Sequence, residues 1–343
     1  RVQKSGNTSG TRLTELNQRL WEDASYGQLS SDGKRVFVLW DLGYANATLG
    51  SNVLIRPGGI QTRPPGAPKP YNRLVSLDLK TQGSLQWIVG GVDGEDEPRL
   101  AGAFFLGPPL PLNGQLYVLT EMKGEISLVV LDANTGQLNW SQQLAHVDTQ
   151  IITRDSTRRL AGATPSYSDG VLVCPTSAGA VVAVDISTHF LLWGYRYKQA
   201  TPVNPRFGFR PTTLTAKKRN GDRWADASVT IAQGKVLVTP VEGDSLYCLD
   251  LLTGKPVWQS QKRDNRLYVA CVHDGQVVMV GKNEISAFKL TDGTAAWQEP
   301  IALGSDMPSG RGFQSDSSYF LPTTGRKLLK IDLAEGTKVQ EIA

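Results

Sequence analysis

The chain contains 343 residues, 40% of them hydrophobic, and carries a formal net charge of +4. This composition is typical of a globular protein, and no stretch approaches the roughly 18 consecutive apolar residues of a membrane-spanning helix. The excess of 36 Lys and Arg over 32 Asp and Glu is small and scattered, so the charge does not indicate nucleic-acid binding.

The first 20 residues are polar and are predicted to be an N-terminal extension. Their second half, TRLTELNQRL, alternates enough to be a candidate for one closing strand. Residues 21–343 are predicted to form one domain, because a repeat fold of this length can be a single domain. The sequence WEDAS at Trp21–Ser25 returns as WADAS at Trp224–Ser228, and each copy is predicted to lead into the first strand of a sheet.

From Asp32 onward the chain repeats one pattern: a turn dipeptide such as Asn113-Gly114, two β-rich runs, an Asp, a turn with glycine, and a Trp. In LDANTGQLNW, Leu131–Trp140, the Trp follows the Asp by eight residues. Lys289 takes the Asp position in the fifth copy, and Gln340 takes the Trp position in the sixth. The repeated positions are Asp78 and Trp87; Asp132, Gly136 and Trp140; Asp185 and Trp193; Asp250, Gly254 and Trp258; and Gly293 and Trp297.

Each copy is predicted to form a four-stranded antiparallel meander, because an Asx-Gly dipeptide supplies the positive φ angles of a tight hairpin. The Asp is expected to accept hydrogen bonds from backbone N–H groups of its own turn. A single sheet of this kind cannot bury both of its faces, so the repeated tryptophans are expected to be mostly buried between neighbouring sheets. Six such copies predict an all-β fold of stacked blades, a β-propeller.

The pattern of aliphatic residue, Asp, two residues, Thr-Gly, three residues and Trp resembles the tryptophan-docking repeat of quinoprotein-type (PQQ-like) β-propellers over about residues 21–343. The resemblance implies an all-β propeller of four-stranded antiparallel blades, six repeats being visible and six to eight blades expected in total. The family includes calcium- and quinone-dependent alcohol dehydrogenases, a non-enzymatic lipoprotein of the outer-membrane assembly machinery, and sensor-like domains of bacterial kinases. The motif therefore indicates a fold rather than an activity, and it implies a periplasmic or cell-envelope location.

Six blades are predicted at about 21–89, 101–144, 161–197, 227–261, 266–301 and 310–343. Strands of a meander alternate in direction, so connections from strand two to three and from blade to blade share one end of the sheets. The long segments all belong to these connections: 41–71, 91–100, 144–160, 198–223 and 300–309. Segment 41–71 is rich in Gly and Pro and is predicted to be a loop with polyproline character. Long loops at one end of a rigid scaffold are a usual place for function.

The charges of these loops differ in sign. Segment 91–100 is acidic, and segment 198–223 is basic. One interpretation is that both are simply solvated loops. The other is a surface with patches of opposite sign that orients a partner, a protein or a small ligand. Its candidate binding residues are Arg206, Arg210, Lys217, Lys218 and Arg219.

Motifs for catalysis are weak in this sequence. The resembling dehydrogenases carry adjacent cysteines that cap the quinone, whereas Cys174, Cys248 and Cys271 lie far apart and are expected to be packed free thiols, with an inter-blade disulfide as the alternative. The three histidines lack the spacing of metal ligands, and the sequence contains neither a nucleophile elbow nor a phosphate-binding loop. Segment 308–312 is expected to be a flexible lead-in to the sixth blade, with an anion-binding backbone nest as the alternative.

The sequence therefore predicts no catalytic, metal or cofactor-binding residues. The preferred hypothesis is a non-catalytic propeller that binds a protein or ligand on its loop-decorated end. The alternative is an oxidoreductase that depends on PQQ and Ca²⁺, which would need six or more oxygen ligands for the metal.

Overall fold

The computed structural model describes residues 21, 23–25, 28–40, 53–56, 59–62, 69–148, 151–200, 223–259 and 261–342. The chain forms two compact units, one of residues 28–159 and one of residues 1–27 with 160–343. Nearly all regular structure is β. The exceptions in the described residues are helical Trp21, a 3-10 turn at Pro98–Leu100 and one helical turn at Ser156–Arg159.

Unit 28–159 contains two sheets of the repeat, which we call blades one and two. Blade one has the spatial order β1, β2, β5, β6, β7, and blade two has the order β12, β11, β10, β8, with β9 also paired to β10. The strands of blade one are β1 Ser30–Ser31, β2 Arg35–Trp40, β5 Arg73–Asp78, β6 Ser84–Gly90 and β7 Gly94–Glu95. Those of blade two are β8 Phe104–Phe105, β9 Leu110–Leu112, β10 Gln115–Met122, β11 Glu125–Asp132 and β12 Leu138–His146.

The second unit contains four sheets of four strands each, and in each of them the strands pair in chain order. Blade three comprises β13 Ser166–Ser168, β14 Val171–Pro175, β15 Ala180–Asp185 and β16 Leu191–Arg196. Blade four comprises β17 Val229–Ala232, β18 Lys235–Val238, β19 Ser245–Asp250 and β20 Gln261–Lys262. Blade five comprises β21 Arg266–His273, β22 Gln276–Gly281, β23 Glu284–Lys289 and β24 Ile301–Ala302. Blade six comprises β25 Phe313–Ser315, β26 Ser318–Pro322, β27 Leu328–Asp332 and β28 Thr337–Ile342.

The predicted fold class is therefore confirmed: the chain is all-β and consists of antiparallel propeller blades. The first hairpins of blades two, three and five follow directly from Asx-Gly dipeptides. At Asn113-Gly114 both residues have positive φ, 51° and 77°, and at Asp169-Gly170 the values are 49° and 82°. Two successive positive φ angles are the geometry of a type I′ turn, which matches the twist of the strands it joins.

The repeated tryptophans connect blades by a specific contact. Trp87 of blade one lies on Gly136 of blade two, where an added Cβ would come within 2.8 Å of the indole. The Nε1–H of Trp87 donates to the carbonyl oxygen of Ala133 over 3.1 Å. The same pairing joins Trp193 to the carbonyl of Leu251 and Trp258 to that of Leu290, over 2.9 and 3.1 Å. Trp297 packs on Gly336, although its Nε1 has no partner among the described residues.

The Asp anchors lie where the sequence predicts, and they cap their own turns. Asp132 Oδ1 accepts the backbone N–H groups of Asn134 and Thr135, each over 2.9 Å. Asp185 and Asp250 accept equivalent bonds from their turns. Blade five, which has Lys289 at this position, uses Asp292 instead, and its carboxylate accepts the Thr294 N–H over 2.8 Å.

Two expectations about strand content need correction. Blades one and two each have five strands rather than four. In blade one, glycines with positive φ at Gly90, Gly91 and Gly94 turn the chain back so that β7 pairs with β6. In blade two, both β8 and β9 pair with β10. Segment 41–71 is not all loop, since it contains an antiparallel hairpin of β3 Val53–Arg56 and β4 Gly59–Thr62. Aliphatic residues in VLIR and GIQT flank Pro57-Gly58, which explains why strands form there.

The expectation of burial is correct for only part of the tryptophan set. Trp87, Trp258 and Trp297 are 3%, 9% and 7% exposed, whereas Trp140 and Trp193 are half-buried. The outermost strand of a blade carries each ring, and the glycine turn of the next blade covers the rings of Trp87, Trp258 and Trp297.

We expect Trp87→Ala to lower the free energy of unfolding by about 3–5 kcal/mol, as loss of a large buried ring does. Trp40→Ala is the matched control, because Trp40 lies in the same blade but is 45% exposed. Chemical denaturation of both variants measures the difference. Equal losses in the two variants would contradict the docking role of Trp87.

Candidate binding face

The connections from strand two to three and from blade to blade lie at one end of the sheets within each unit, which we call the loop end. In unit 28–159, the Asn72 side chain bonds both the N–H and the carbonyl of Phe105, over 2.7 and 2.9 Å. The Gly91 N–H donates to the Asn72 carbonyl over 2.8 Å. These bonds join Asn72, which follows segment 41–71, to the first residue of segment 91–100 and to Phe105 beyond its end. The strand-parity argument therefore holds in this unit.

The acidic segment 91–100 is largely neutralised by contacts inside its own unit. Glu95 forms an ion pair with Arg73 over 3.0 Å, and Asp96 accepts the Ile88 N–H over 2.8 Å. Glu97 is only 4% exposed and accepts bonds from Arg99 and from the Leu138 N–H. The Arg99 hydrogen bond, opposed by partial burial and assisted by the Leu138 N–H, lowers the pKa of Glu97 to about 2. The acidic side chains of this segment therefore mainly stabilise the structure of their own unit, and they do not form an open acidic patch.

A buried ionic cluster fixes the segment that leaves blade two. Arg158 is 2% exposed, and its Nε–H donates to Glu121, itself 1% exposed, over 2.6 Å. The Nη1–H of Arg158 donates to Asp155 over 2.7 Å. Arg159 lies over the ring of Phe104 at 4.8 Å and donates to the Lys69 carbonyl over 2.8 Å. Arg158 and Arg159 are thus buried and form contacts within the protein.

In the second unit, Glu242 ties together three connections at the loop end. Its Oε1 accepts the Tyr197 hydroxyl over 2.6 Å and the Gly179 N–H over 3.1 Å. Its carbonyl accepts the N–H of Ala200, the last described residue before segment 201–222, over 2.7 Å. Burial, reinforced by the adjacent Glu242 carboxylate, raises the pKa of the Tyr197 hydroxyl well above its usual value. The base of segment 198–223 is therefore held rigidly.

A second polar cluster of this unit surrounds the two lead-in sequences. Trp21 stacks on Tyr268 with ring centroids 6.2 Å apart, and Arg311 lies 4.6 Å above the Tyr268 ring while it pairs with Asp226. The Tyr319 hydroxyl accepts the Gly312 N–H over 3.1 Å. Segment 308–312 is thus anchored by specific contacts in place of the expected flexible lead-in. Its Gly312 N–H already has a protein acceptor, which disfavours the alternative of an anion-binding nest there.

The sequence-predicted residues fall into two groups. The Asp, Gly and Trp positions of the repeat lie at or near the Asp turns, at the end of each sheet opposite the loop end. There they cap turns and join blades. The proposed partner-binding residues Arg206, Arg210, Lys217, Lys218 and Arg219 lie outside the described residues. Sequence reasoning missed Glu242 and Arg158, whose partners are distant in sequence and leave no local motif.

Among the described residues, we find no group of side chains that would hold a quinone and Ca²⁺. Within the described ranges, no three His, Cys, Asp or Glu side chains converge as metal ligands. The buried Asp226 carboxylate is already engaged, by Arg311 on one oxygen and by the Ser228 N–H on the other. The cysteines are free thiols, and burial raises the pKa of Cys248 to about 12 and that of Cys271 to about 11. No helix among the described residues is long and apolar enough to cross a membrane.

Comparisons with known proteins agree on the fold. The family model described as outer membrane protein assembly factor BamB matches residues 97–216 and 212–343. A quinohemoprotein alcohol dehydrogenase, ADH IIB of Pseudomonas putida, is 34% identical over 110 residues, which are 32% of this chain and 14% of that enzyme. BamB from Moraxella catarrhalis aligns over 92% of this chain and 72% of its own, with a TM-score of 0.51 and 15% identity. The dihydro-heme d1 dehydrogenase NirN aligns over 92% and 56%, with a TM-score of 0.54 and 12% identity.

We expect Glu97→Gln to lower the free energy of unfolding by about 1.5–3 kcal/mol at pH 7, because it removes charge-assisted hydrogen bonds. The pKa of Glu97 is lower in the folded protein than its ordinary 4.5, so the ionised form stabilises the fold at neutral pH. The gap between wild type and variant should therefore shrink as the pH falls from 4.5 to about 2. Urea unfolding at a series of pH values measures this gap, with the exposed Glu335→Gln as control. A gap that is the same at pH 7 and pH 3 would contradict the assignment.

We expect Glu121→Ala to cost about 3–5 kcal/mol, since it leaves the buried Arg158 charge without one of its partners. Adding Arg158→Met to that variant should restore part of the loss, because the buried charge that lost its Glu121 partner is then gone. Thermal unfolding of the single and double variants compares them. If the double variant is less stable than Glu121→Ala, the buried charge is not the source of the cost.

Proposed function

The chain belongs to the family described as outer membrane protein assembly factor BamB, and from that membership we propose that it is a non-catalytic β-propeller scaffold. It binds a protein partner through its loop end and acts in the bacterial periplasm or cell envelope. A scaffold needs a rigid body with an elaborated surface, and it needs no converging reactive groups. The observation that supports this proposal is that, within each unit, hydrogen bonds hold the long connections at the loop end. Arg158 with Glu121 does so in unit 28–159, and Glu242 with Tyr197 in the second unit.

The charge of the long connections suggests the chemistry of the partner. Segment 198–223 holds seven Lys and Arg against one Asp. Segment 91–100 carries four acidic residues, but three of them are used in internal contacts. The net charge of segment 198–223 in the sequence is positive, and an acidic protein surface is the complementary partner. Such complementarity acts mainly on the rate of association and on specificity.

The alternative function is a PQQ- and Ca²⁺-dependent oxidoreductase, which the likeness to the P. putida dehydrogenase over 110 residues favours. That likeness spans 14% of the enzyme, and a shared fold does not imply a shared activity. Incubation with PQQ and Ca²⁺, desalting, and an absorbance spectrum distinguish the two functions. Retained quinone absorbance at one equivalent would support the oxidoreductase, whereas its loss supports the scaffold.

The scaffold proposal predicts a site-specific charge effect. The probe is fluorescein-labelled poly-L-glutamate, and the variant carries Lys217→Glu, Lys218→Glu and Arg219→Glu together. We expect its association to be at least about tenfold slower than that of wild type, with a flatter salt dependence, because steering by the basic segment is lost. Stopped-flow fluorescence at several salt concentrations measures both quantities.

The matched control carries Lys34→Glu, Lys80→Glu and Lys255→Glu, which change the net charge equally. These three lysines are exposed at the Asp-turn end of their blades. The control should associate nearly as fast as wild type, and all three proteins should melt at similar temperatures. If the two triple variants slow association equally, only net charge acts and the loop-end partner site is wrong.

A further inference from the structure

Blades one and two form a polar cleft at the end of their sheets opposite the loop end. Its volume is about 410 Å³, within the roughly 300–1,000 Å³ that small-molecule sites occupy. The first hairpin turns of both blades line it, together with the start of the Asp turn of blade two. All of these lining residues belong to unit 28–159, so the cleft is formed within one unit.

Arg35 holds the two walls of the cleft together. Its Nε–H and Nη2–H groups donate to Asp32 of the same blade over 3.0 and 2.6 Å. Its Nη1–H groups donate to Asn134 Oδ1 over 2.9 Å and to the carbonyl of Ala133, both in blade two. The same carbonyl accepts the docked indole of Trp87. The walls are therefore fixed before a ligand binds, which lowers the entropic cost of binding.

This clamp belongs to blade one and not to the repeat. In the strand register Arg35 pairs with the anchor Asp78, and no other blade has an arginine at that position. The residues that pair with the anchor position in blades two to six are Gln115, Val171, Lys235, Gln276 and Ser318. The repeat architecture therefore does not require the clamp, and its presence distinguishes this cleft from the other junctions between blades.

Charge contributes little to what the cleft offers a ligand. Asp32 and Arg35 form an ion pair over 2.6 Å and neutralise each other. Lys34 is the only other charged residue that lines the cleft, and its side chain is exposed. An anion would therefore meet one solvated ammonium group, an interaction that is weak in water.

Amide groups supply most of the hydrogen-bonding capacity of the cleft. Asn134 uses its side-chain oxygen to accept from Arg35, and Gln115 uses its own to accept the Tyr117 hydroxyl over 2.8 Å. Each of these bonds orients the amide, so that its NH₂ group is left as a donor. Asn113 is exposed in its turn, and its amide can both donate and accept.

We propose that this cleft binds a neutral saccharide. A sugar hydroxyl donates and accepts at once, so a row of hydroxyls is complementary to the amides of Asn113, Gln115 and Asn134. The half-buried Pro111 and Leu112 supply an apolar surface for the C–H face of a sugar ring. Hydroxyls replace the waters that solvate the amides without leaving those amides unsatisfied. This binding is independent of the loop-end function, because the cleft lies at the opposite end of the sheets.

The test is an NMR titration of the ¹⁵N-labelled protein with maltose, cellobiose, lactose and N,N′-diacetylchitobiose. At least one of these sugars should shift the amide signals of Asn113, Gln115 and Asn134 in a saturable way. Asn113→Gly should weaken this binding at least about fivefold, the factor expected for loss of one hydrogen bond. Glycine keeps the turn, because it adopts the φ of 51° that Asn113 has without strain.

The matched control is Gln233→Gly. It removes an amide from the first hairpin turn of blade four, where Gln233 has a φ of 47°. This variant should bind the sugar as wild type does, and both variants should melt at similar temperatures.

Four results would overturn the proposal. They are the absence of saturable shifts with every neutral sugar, unchanged binding in Asn113→Gly, an equal loss of binding in Gln233→Gly, and a preference of at least tenfold for digalacturonate over every neutral sugar. The last result would mean that the cleft recognises an anion through Lys34. Saturable shifts in the cleft that Asn113→Gly weakens and Gln233→Gly preserves would support the saccharide site.

Discussion

The fold depends on one contact, the indole of an outer strand resting on the glycine turn of the next blade. The glycine satisfies two requirements at once: a positive φ, and no Cβ where the ring must lie, as Gly136 does under Trp87. The indole N–H then pairs with a backbone carbonyl such as that of Ala133, so the ring is oriented as well as buried. A blade cannot cover its own faces. This contact therefore sets the register of one blade against the next.

Most of the fold could be predicted because its signals are local. Asn113-Gly114 and Asp132 each determine a turn within four residues, and repetition then gives the strand order. Prediction fails where the cause is not local or the pattern is degenerate. The sequence gives no sign that Asp292 replaces the missing anchor at Lys289, because the compensation depends on turn geometry. Likewise, the Gly and Pro content of segment 41–71 predicts a loop, although short runs of aliphatic residues in it form a hairpin.

The sequence predicts at which end of the sheets the candidate site lies, but it does not predict the contacts within the site. Strand parity predicts which end carries the long connections, since it needs only strand counts. The interaction partner of each charged side chain cannot be inferred from strand counts. Glu97 is part of an apparently open acidic run, yet it caps Leu138, 41 residues away, and Arg158 is buried against Glu121, 37 residues away. Whether a charged side chain is exposed or paired depends on its burial and on the residues that the fold brings close to it. The amino-acid composition contains neither kind of information.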